Sequence, residues 1–284
     1  MISKRTLIAS AILSLTFSSL GVAQTVTPDT SHQSAPPVSE EYAPSVGQVG
    51  KDVVWVPTSQ TLVDRMLNMA KLTANDHLVD LGSGDGRTVI TAAKRGATAR
   101  GIEYNPDLVE LSKRTAKKEG VADTAVFEQA DIFESDFSNA TVVTLFLLPS
   151  LNIKLRPTLL DMKPGTRVVS NSFAMEDWEP DETAQVQDNC TNYCNAYKWI
   201  VPAKVSGTWK IGDKELEIVQ NFQMLDGTLR NNDTAKPISN ARMDGANITF
   251  SVGNEQYTGT VNNDTMQGTI NGKTNWDANR LSMQ

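Results

Sequence analysis

The chain has 284 residues, 39% of them hydrophobic, which is enough for one core of ordinary size and a smaller module beside it. Its formal net charge is −7, with 33 acidic side chains against 26 Lys and Arg, and this argues against a grip on nucleic acid through phosphates. The only histidines are His32, in a Pro- and Ser-rich stretch, and His77, far in sequence from Cys190 and Cys194, so no metal is expected.

Lys4 and Arg5 precede an apolar run over residues 7–17, and Gly21-Val22-Ala23 supplies small residues ahead of Gln24. That layout predicts a signal peptide over 1–23 and export to a periplasmic or extracellular compartment. The run is short for a membrane span, so no stable span is expected after cleavage, and an uncleaved N-terminal anchor is the alternative. Cleavage removes the positive charges of Lys4 and Arg5 and no negative one, which takes the net charge from −7 to −9. Residues 24–50, rich in Pro, Ser, Thr and Gln, read as a disordered linker.

Organised sequence is expected from about Val53. Thr58 or Ser59 can cap a helix in which Leu62, Met66 and Met69 share one face. Strands are predicted over 77–81, 99–103, 125–130, 141–148 and 166–172, with 184–187 and 197–201 as a last pair. Between them lie a helix carrying Val89, Ile90 and Ala93 inward and a second one opened by Asn105-Pro106-Asp107 and closed by Gly120. Lys113, Arg114, Lys117 and Lys118 on that second helix read as a solvated face. The alternation predicts an α/β domain over 51–204, a Rossmann-like, doubly wound, mostly parallel seven-stranded sheet.

Cys190 and Cys194 lie within one short loop, and with an export signal upstream a local disulfide is the favoured reading. From about Val205 the texture changes. Short alternating runs over 207–209, 216–220, 246–250, 257–261, 266–270 and 276–280 are split by Gly, Asn and Asp turns, predicting a small all-β meander or barrel over 205–284. Its Gly207-x-Trp209 opening and Trp276-x-Ala278-x-Arg280 ending resemble lipocalin-like barrels.

Most of the chemistry is concentrated in Val79-Asp80-Leu81-Gly82-Ser83-Gly84-Asp85-Gly86-Arg87, an apolar strand that ends at an acid and enters a glycine-rich turn. Glycines there let a ligand lie against bare backbone, and the following helix start presents N–H groups. A dinucleotide fingerprint needs its third glycine where Arg87 stands, and no Gly-Lys-Ser/Thr follows for a phosphate loop. Glu103, 17 residues past Gly86, ends the second strand, where a carboxylate can accept both ribose hydroxyls.

The Asp80-x-Gly82-x-Gly84-x-Gly86 element resembles that of the class I methyltransferases that bind S-adenosylmethionine. The resemblance implies that Gly82, Ser83, Gly84 and Gly86 wrap the methionine part and that Asp80 holds its amino group. It also implies that Asp131 takes the adenine amino group while Ile132 packs on the ring. Tyr104, beside Glu103, is counted with this cofactor-binding set. Residues 145–150, Leu-Phe-Leu-Leu-Pro-Ser, depart from the Asn/Asp-Pro-Pro-Tyr/Phe element of enzymes that methylate adenine or glutamine amides. With Trp55-Val56-Pro57-Thr58, that segment is similar to one in a small group of protein-lysine methyltransferases whose animal members work in mitochondria. The resemblance spans residues 53–178 and puts Pro57, Thr58, Phe146 and Pro149 on the substrate side.

The expectation is therefore S-adenosylmethionine-dependent methyl transfer to a protein amine such as lysine, with no nucleic acid partner. Asp85, Tyr104 and Thr58 are possible proton acceptors, and no catalytic base is named. Because the cofactor is made in the cytosol while residues 1–23 point outward, two other readings stand beside this one: an exported, non-catalytic nucleoside-binding protein, or an envelope-binding protein whose β-domain is the working part.

Overall fold

In the computed structural model, which describes residues 42–282, Ser59 opens the first helix: its Oγ accepts the Leu62 N–H at 3.3 Å. Helix α1 (Gln60–Met69) then buries Leu62, Val63, Met66, Leu67 and Met69 on one side. The predicted signal peptide and the linker up to residue 41 lie outside the described residues. Residues 42–50, read as the end of that linker, are arranged. Gly47 N–H donates to the Trp55 carbonyl and Trp55 N–H to the Gln48 carbonyl, both at 2.9 Å, folding the segment back on itself ahead of α1.

The α/β part contains β1 (His77–Leu81), α2 (Arg87–Lys94), β2 (Thr98–Glu103), α3 (Pro106–Lys118), β3 (Ala125–Gln129), β4 (Val142–Leu145), α4 (Pro149–Leu160), β5 (Arg167–Asn171), β6 (Glu182–Gln185) and β7 (Asn195–Ile200). The strands form one sheet in the order β3-β2-β1-β4-β5-β7-β6. Strands β1 to β5 run parallel, and β7 is antiparallel to both neighbours. Both faces are covered, which is why β1 and β4 are almost continuously apolar. On one face Leu78 and Val89 pack with the apolar side of α1; on the other Val79 and Leu81 pack with Leu155, Leu159 and Trp199.

Helix α4 was not expected: its apolar residues form no clean stripe and Pro157 lies within it. Its start also shortens β4, predicted to run to residue 148, because Pro149 occupies the first turn and Phe146 to Leu148 become the connection. Asn105 caps α3 as its sequence indicates, its Oδ1 accepting the Asp107 N–H at 2.9 Å.

The remaining strands are β8 (Gly207–Ile211), β9 (Lys214–Asn221), β10 (Met224–Asn231), β11 (Thr234–Pro237), β12 (Ser239–Asp244), β13 (Asn247–Val252), β14 (Glu255–Asn262), β15 (Thr265–Ile270) and β16 (Thr274–Ser282). Eight of the nine close into an antiparallel barrel, since β9 pairs with β8 and β10, and β10 with β12; short β11 hangs on the far end of β10. Strands β10 to β12 escaped the sequence reading because Asp226, Gly227, Arg230, Lys236 and Asn240 dilute their apolar alternation. The barrel's interior is filled by side chains: Phe250 stacks on Tyr257 at 4.6 Å, Trp276 meets both, and Trp209, Leu216 and Ile218 are fully buried.

The two sheets meet in a single compact unit over Tyr42–Gln284. Trp178, fully buried, stacks on Phe222 at 5.9 Å and donates its indole N–H to Gln223 Oε1 at 3.1 Å. Gln223 Nε2 in turn donates to the Glu179 carbonyl at 2.8 Å. The barrel thereby braces the chain between β5 and β6, which borders the site.

Candidate functional site

The parallel sheet changes direction between β1 and β4, the place where an open α/β sheet leaves a crevice beyond its carboxyl ends. A cavity of about 480 Å³ opens there, within the range of small-molecule sites. Asp80, Gly82, Ser83, Gly84, Glu103, Tyr104, Asp131 and Ile132 line it, as do Pro57, Thr58 and Phe146.

Asp80, at the end of β1, is buried between two strands and accepts the Thr144 hydroxyl of β4 at 2.6 Å. Burial pushes its carboxyl up to about 7; Thr144 draws it back, while the charges of Glu103 and Asp85 add to the rise. Such a carboxylate gains more from a cation than an exposed one. After it the turn passes close beneath Trp55: a Cβ on Gly84, whose φ is +55°, would stand 2.8 Å from the indole nitrogen. Nothing larger than glycine leaves that backbone reachable. Ser83 Oγ is buried there without a hydrogen-bond partner among the described residues.

Glu103 ends β2 with both oxygens fixed by backbone, Oε2 accepting the Gly84 N–H and Oε1 the Asn105 N–H, each at 2.9 Å. Each oxygen keeps a free lone-pair direction, so the carboxylate can accept two hydroxyls side by side. Asp131 follows β3. Its Oδ1 takes the Phe133 N–H at 2.9 Å and its Oδ2 pairs with Lys51, whose ammonium also lies 4.7 Å over the Tyr104 ring. The Lys51 hydrogen bond and then the Phe133 N–H hold the Asp131 carboxyl below the usual range.

On the other side of the cavity Thr58 is held twice. Arg87 Nη1 donates to its carbonyl at 2.8 Å, and Asn171 Nδ2, at the end of β5, donates to its hydroxyl at 3.1 Å. Arg87 is itself oriented by Asp85, Nε donating to Oδ1 at 3.0 Å and Nη2 to Oδ2 at 2.5 Å. Asp85, one of the three possible proton acceptors, thus spends both oxygens on a neighbour.

Two expected residues do not reach the cavity. Gly86 lies beneath it as the cap of α2, where a Cβ would strike the Phe127 ring at 2.7 Å and the Ser112 Cβ at 2.8 Å; it allows helix α2 to sit against β3 and α3. Pro149 is spent on starting α4, and Phe146 alone of that segment's two expected residues faces the site. The sequence reading missed Lys51, Trp55, Arg87, Leu147, Phe173 and Tyr193, all on the cavity wall. Lys51 and Trp55 precede the first predicted element, and Phe173 and Tyr193 lie in loops, where periodicity carries no signal. Cys190 and Cys194 form a disulfide directly beside Tyr193.

The arrangement fits S-adenosylmethionine residue by residue: a buried anion for an amino group, a paired acceptor for a ribose, an acid and an apolar neighbour for an adenine. Comparison with known proteins agrees. The ANTKMT methyltransferase domain matches residues 80–182. A protein-lysine N-methyltransferase of Saccharolobus islandicus is 41% identical over 152 residues, which are 52% of this chain and 94% of that protein. An ATP synthase lysine N-methyltransferase of Homo sapiens is 37% identical over 128 residues, 45% of this chain, and the chain spans 54% of its length. The crystal structure of an RNA methyltransferase from Salinibacter ruber, in complex with S-adenosyl-L-homocysteine, is 49% identical with a TM-score of 0.50, covering 53% of this chain and 96% of that one.

Proposed function

The chain belongs to the class I S-adenosylmethionine-dependent methyltransferases, and from that premise we propose that its acceptor is an amine of a protein, in first place a lysine side chain. The observation that carries the reading is the acceptor side of the cavity, lined by Pro57, Thr58 and Phe146, where residues 145–150, Leu-Phe-Leu-Leu-Pro-Ser, stand in place of the polar element of enzymes that methylate an amide or exocyclic amine. The lysine-methylating relatives support it.

The bound cofactor supplies a methyl group on a positively charged sulfur, open to in-line attack. In this reading Asp80 holds its amino group, Glu103 its ribose hydroxyls, and Asp131 with Ile132 its adenine. Asp131 carries one partner on each oxygen, Phe133 N–H and Lys51, and keeps a lone-pair direction for that ring. An incoming ammonium must shed a proton before its nitrogen can attack. That proton passes to bulk water, and no side chain is assigned as its acceptor. The Asp85–Arg87–Thr58–Asn171 chain fixes the edge past which the acceptor enters, and alignment of two reactants accounts for much of the acceleration in such transfers.

A second reading, an RNA acceptor, follows from the Salinibacter ruber protein's description. The net charge of −7 favours the protein reading, as a polyanion is repelled by this chain. The test is to incubate the purified protein with methyl-labelled cofactor and an envelope or whole-cell extract, treated in parallel with nuclease and with protease. Protease-sensitive label supports the proposal; nuclease-sensitive label overturns it.

The export reading belongs to the same proposal and rests on residues 1–23 alone. N-terminal sequencing of the mature protein from fractionated cells is expected to begin at Gln24.

A further inference from the structure

Beyond the cofactor half of the site, three rings stand together. Phe146 follows β4, Phe173 follows β5, and Tyr193 sits in the loop between β6 and β7. Their centroids form a nearly equilateral triangle: Phe146 to Phe173 6.1 Å, Phe146 to Tyr193 5.2 Å, Phe173 to Tyr193 5.9 Å. The two phenylalanine rings are close to parallel, 21° apart, and the tyrosine crosses them at 62° and 53°. All three line the cavity, and none is wholly buried.

A triangle of this size has a consequence for a cation. A group about 4 Å above its centre lies within about 6 Å of all three centroids, the distance at which a ring attracts an ammonium held over its face. Among the described residues, the cations that sit on rings are elsewhere: Lys51 on Tyr104, Lys154 on Phe133, Arg156 on Phe222 and Arg280 on Trp209.

Tyr193 is also placed at a cost. Its φ is +58°, and Asn189 in the same loop has +54°, a left-handed backbone that a tyrosine seldom adopts. The tyrosine is 45% exposed, so burial does not account for that conformation. The Cys190–Cys194 bridge closes the loop immediately around it. A covalent clasp on so short a loop holds little of the domain together, but it does fix where one side chain points.

Resting on the amine-acceptor reading, we propose that Phe146, Phe173 and Tyr193 form a recognition collar for the alkylammonium head of the acceptor, with Tyr193 as the specificity-determining residue that the disulfide positions. Phe146 and Phe173 lie at the strand ends and provide the fixed wall. Tyr193 closes it. The collar selects a positively charged, methyl- or methylene-bearing nitrogen over a neutral group of the same shape. The chain's negative charge adds attraction for the same cations at longer range.

The test uses the full-length protein and tetramethylammonium as probe, with neutral tert-butanol as its uncharged counterpart, each followed by the ring-current shift of its methyl protons. Saturable tetramethylammonium binding is expected, weakened about tenfold by Tyr193→Ala and kept within about twofold by Tyr193→Phe, in line with the strength of such contacts. Cys190→Ser, which cannot close the bridge, is expected to weaken it severalfold. Cofactor affinity, measured on the same samples by calorimetry, stays at the wild-type value in all three, which shows that the fold and the other half of the site are intact. Equal binding of tert-butanol, or wild-type binding by Tyr193→Ala, overturns the collar; wild-type binding by Cys190→Ser overturns the role of the bridge. This readout involves no methyl transfer. A protein that binds tetramethylammonium as expected and yet labels no lysine refutes the lysine reading and leaves the collar standing.

Discussion

Asp80 and Thr144 face each other on neighbouring parallel strands, carboxylate to hydroxyl at 2.6 Å, at the one place where the sheet reverses its winding. No cation touches that carboxylate among the described residues, and burial pushes it up to about 7. The ligand-free protein therefore keeps a site whose charge is half suppressed near neutral pH, and an amino group brought in by the cofactor restores it.

This relation predicts a pH dependence for cofactor binding. Only the carboxylate pairs with an ammonium, so affinity is expected to fall about tenfold for each pH unit below about 7, with proton release on binding, and to fall again where the ligand's own ammonium loses its proton. Asp80→Asn is expected to bind weakly at every pH and to lose that slope. Calorimetry in buffers of different ionisation enthalpy measures both.

The same group gives a stability prediction of opposite sense. Folded Asp80 keeps its proton up to about 7, while an ordinary aspartate gives it up near 3.8, so its ionisation progressively costs the empty fold stability as pH rises through that window. The shift corresponds to roughly 4 kcal/mol. Asp80→Asn is expected to match the wild type in melting temperature near the bottom of the window and exceed it above the top; equal melting temperatures throughout would count against the buried, uncompensated carboxylate.

Glu103 and Gly84 are joined at the proposed cofactor half of the site, where the carboxylate accepts the Gly84 N–H and so fixes the turn. Glu103→Ala removes two charge-assisted hydrogen bonds as well as the ribose acceptor and is expected to weaken cofactor binding about 10- to 100-fold. In Gly84→Val a branched side chain meets both a φ of +55° and the Trp55 indole, and binding is expected to be lost while the circular dichroism spectrum remains. Unchanged affinity in either variant would displace the site.

Arg87 lines the cavity and is tied to the Thr58 carbonyl. Arg87→Ala is expected to lower kcat about tenfold through misalignment while leaving the cofactor Kd within about threefold. A parallel loss of both would mean that Arg87 shapes the cofactor half instead.

The parts of this molecule legible in its sequence are those in which one physical demand dominates. Strands β1 and β4 are almost continuous apolar runs because both faces are covered, and Ser59 and Asn105 cap helices where their side chains can reach the next free N–H groups. Asp80, Glu103 and Asp131 stand out for their order and spacing at strand ends, and the structure brings all three to one cavity. What was hidden depends on the fold closing. Lys51 and Trp55 precede the first predicted element and show no role until the chain turns back over the cavity, and Gly86 looks like a ligand contact until Phe127 and Ser112 are seen pressing on it. Strands β10 to β12 draw their order from a ring of neighbours, so their own residues carry little of the pattern.

The central claim, transfer of a methyl group from S-adenosylmethionine to a protein lysine, is most directly tested by locating the transferred group. The purified protein, supplied with isotope-labelled cofactor and proteins of its own cell envelope, is followed by tandem mass spectrometry of the labelled peptides. The proposed function predicts label on lysine Nζ, abolished by Gly84→Val. Label confined to another residue type or to RNA, or no label under conditions where calorimetry shows the cofactor bound, would contradict it.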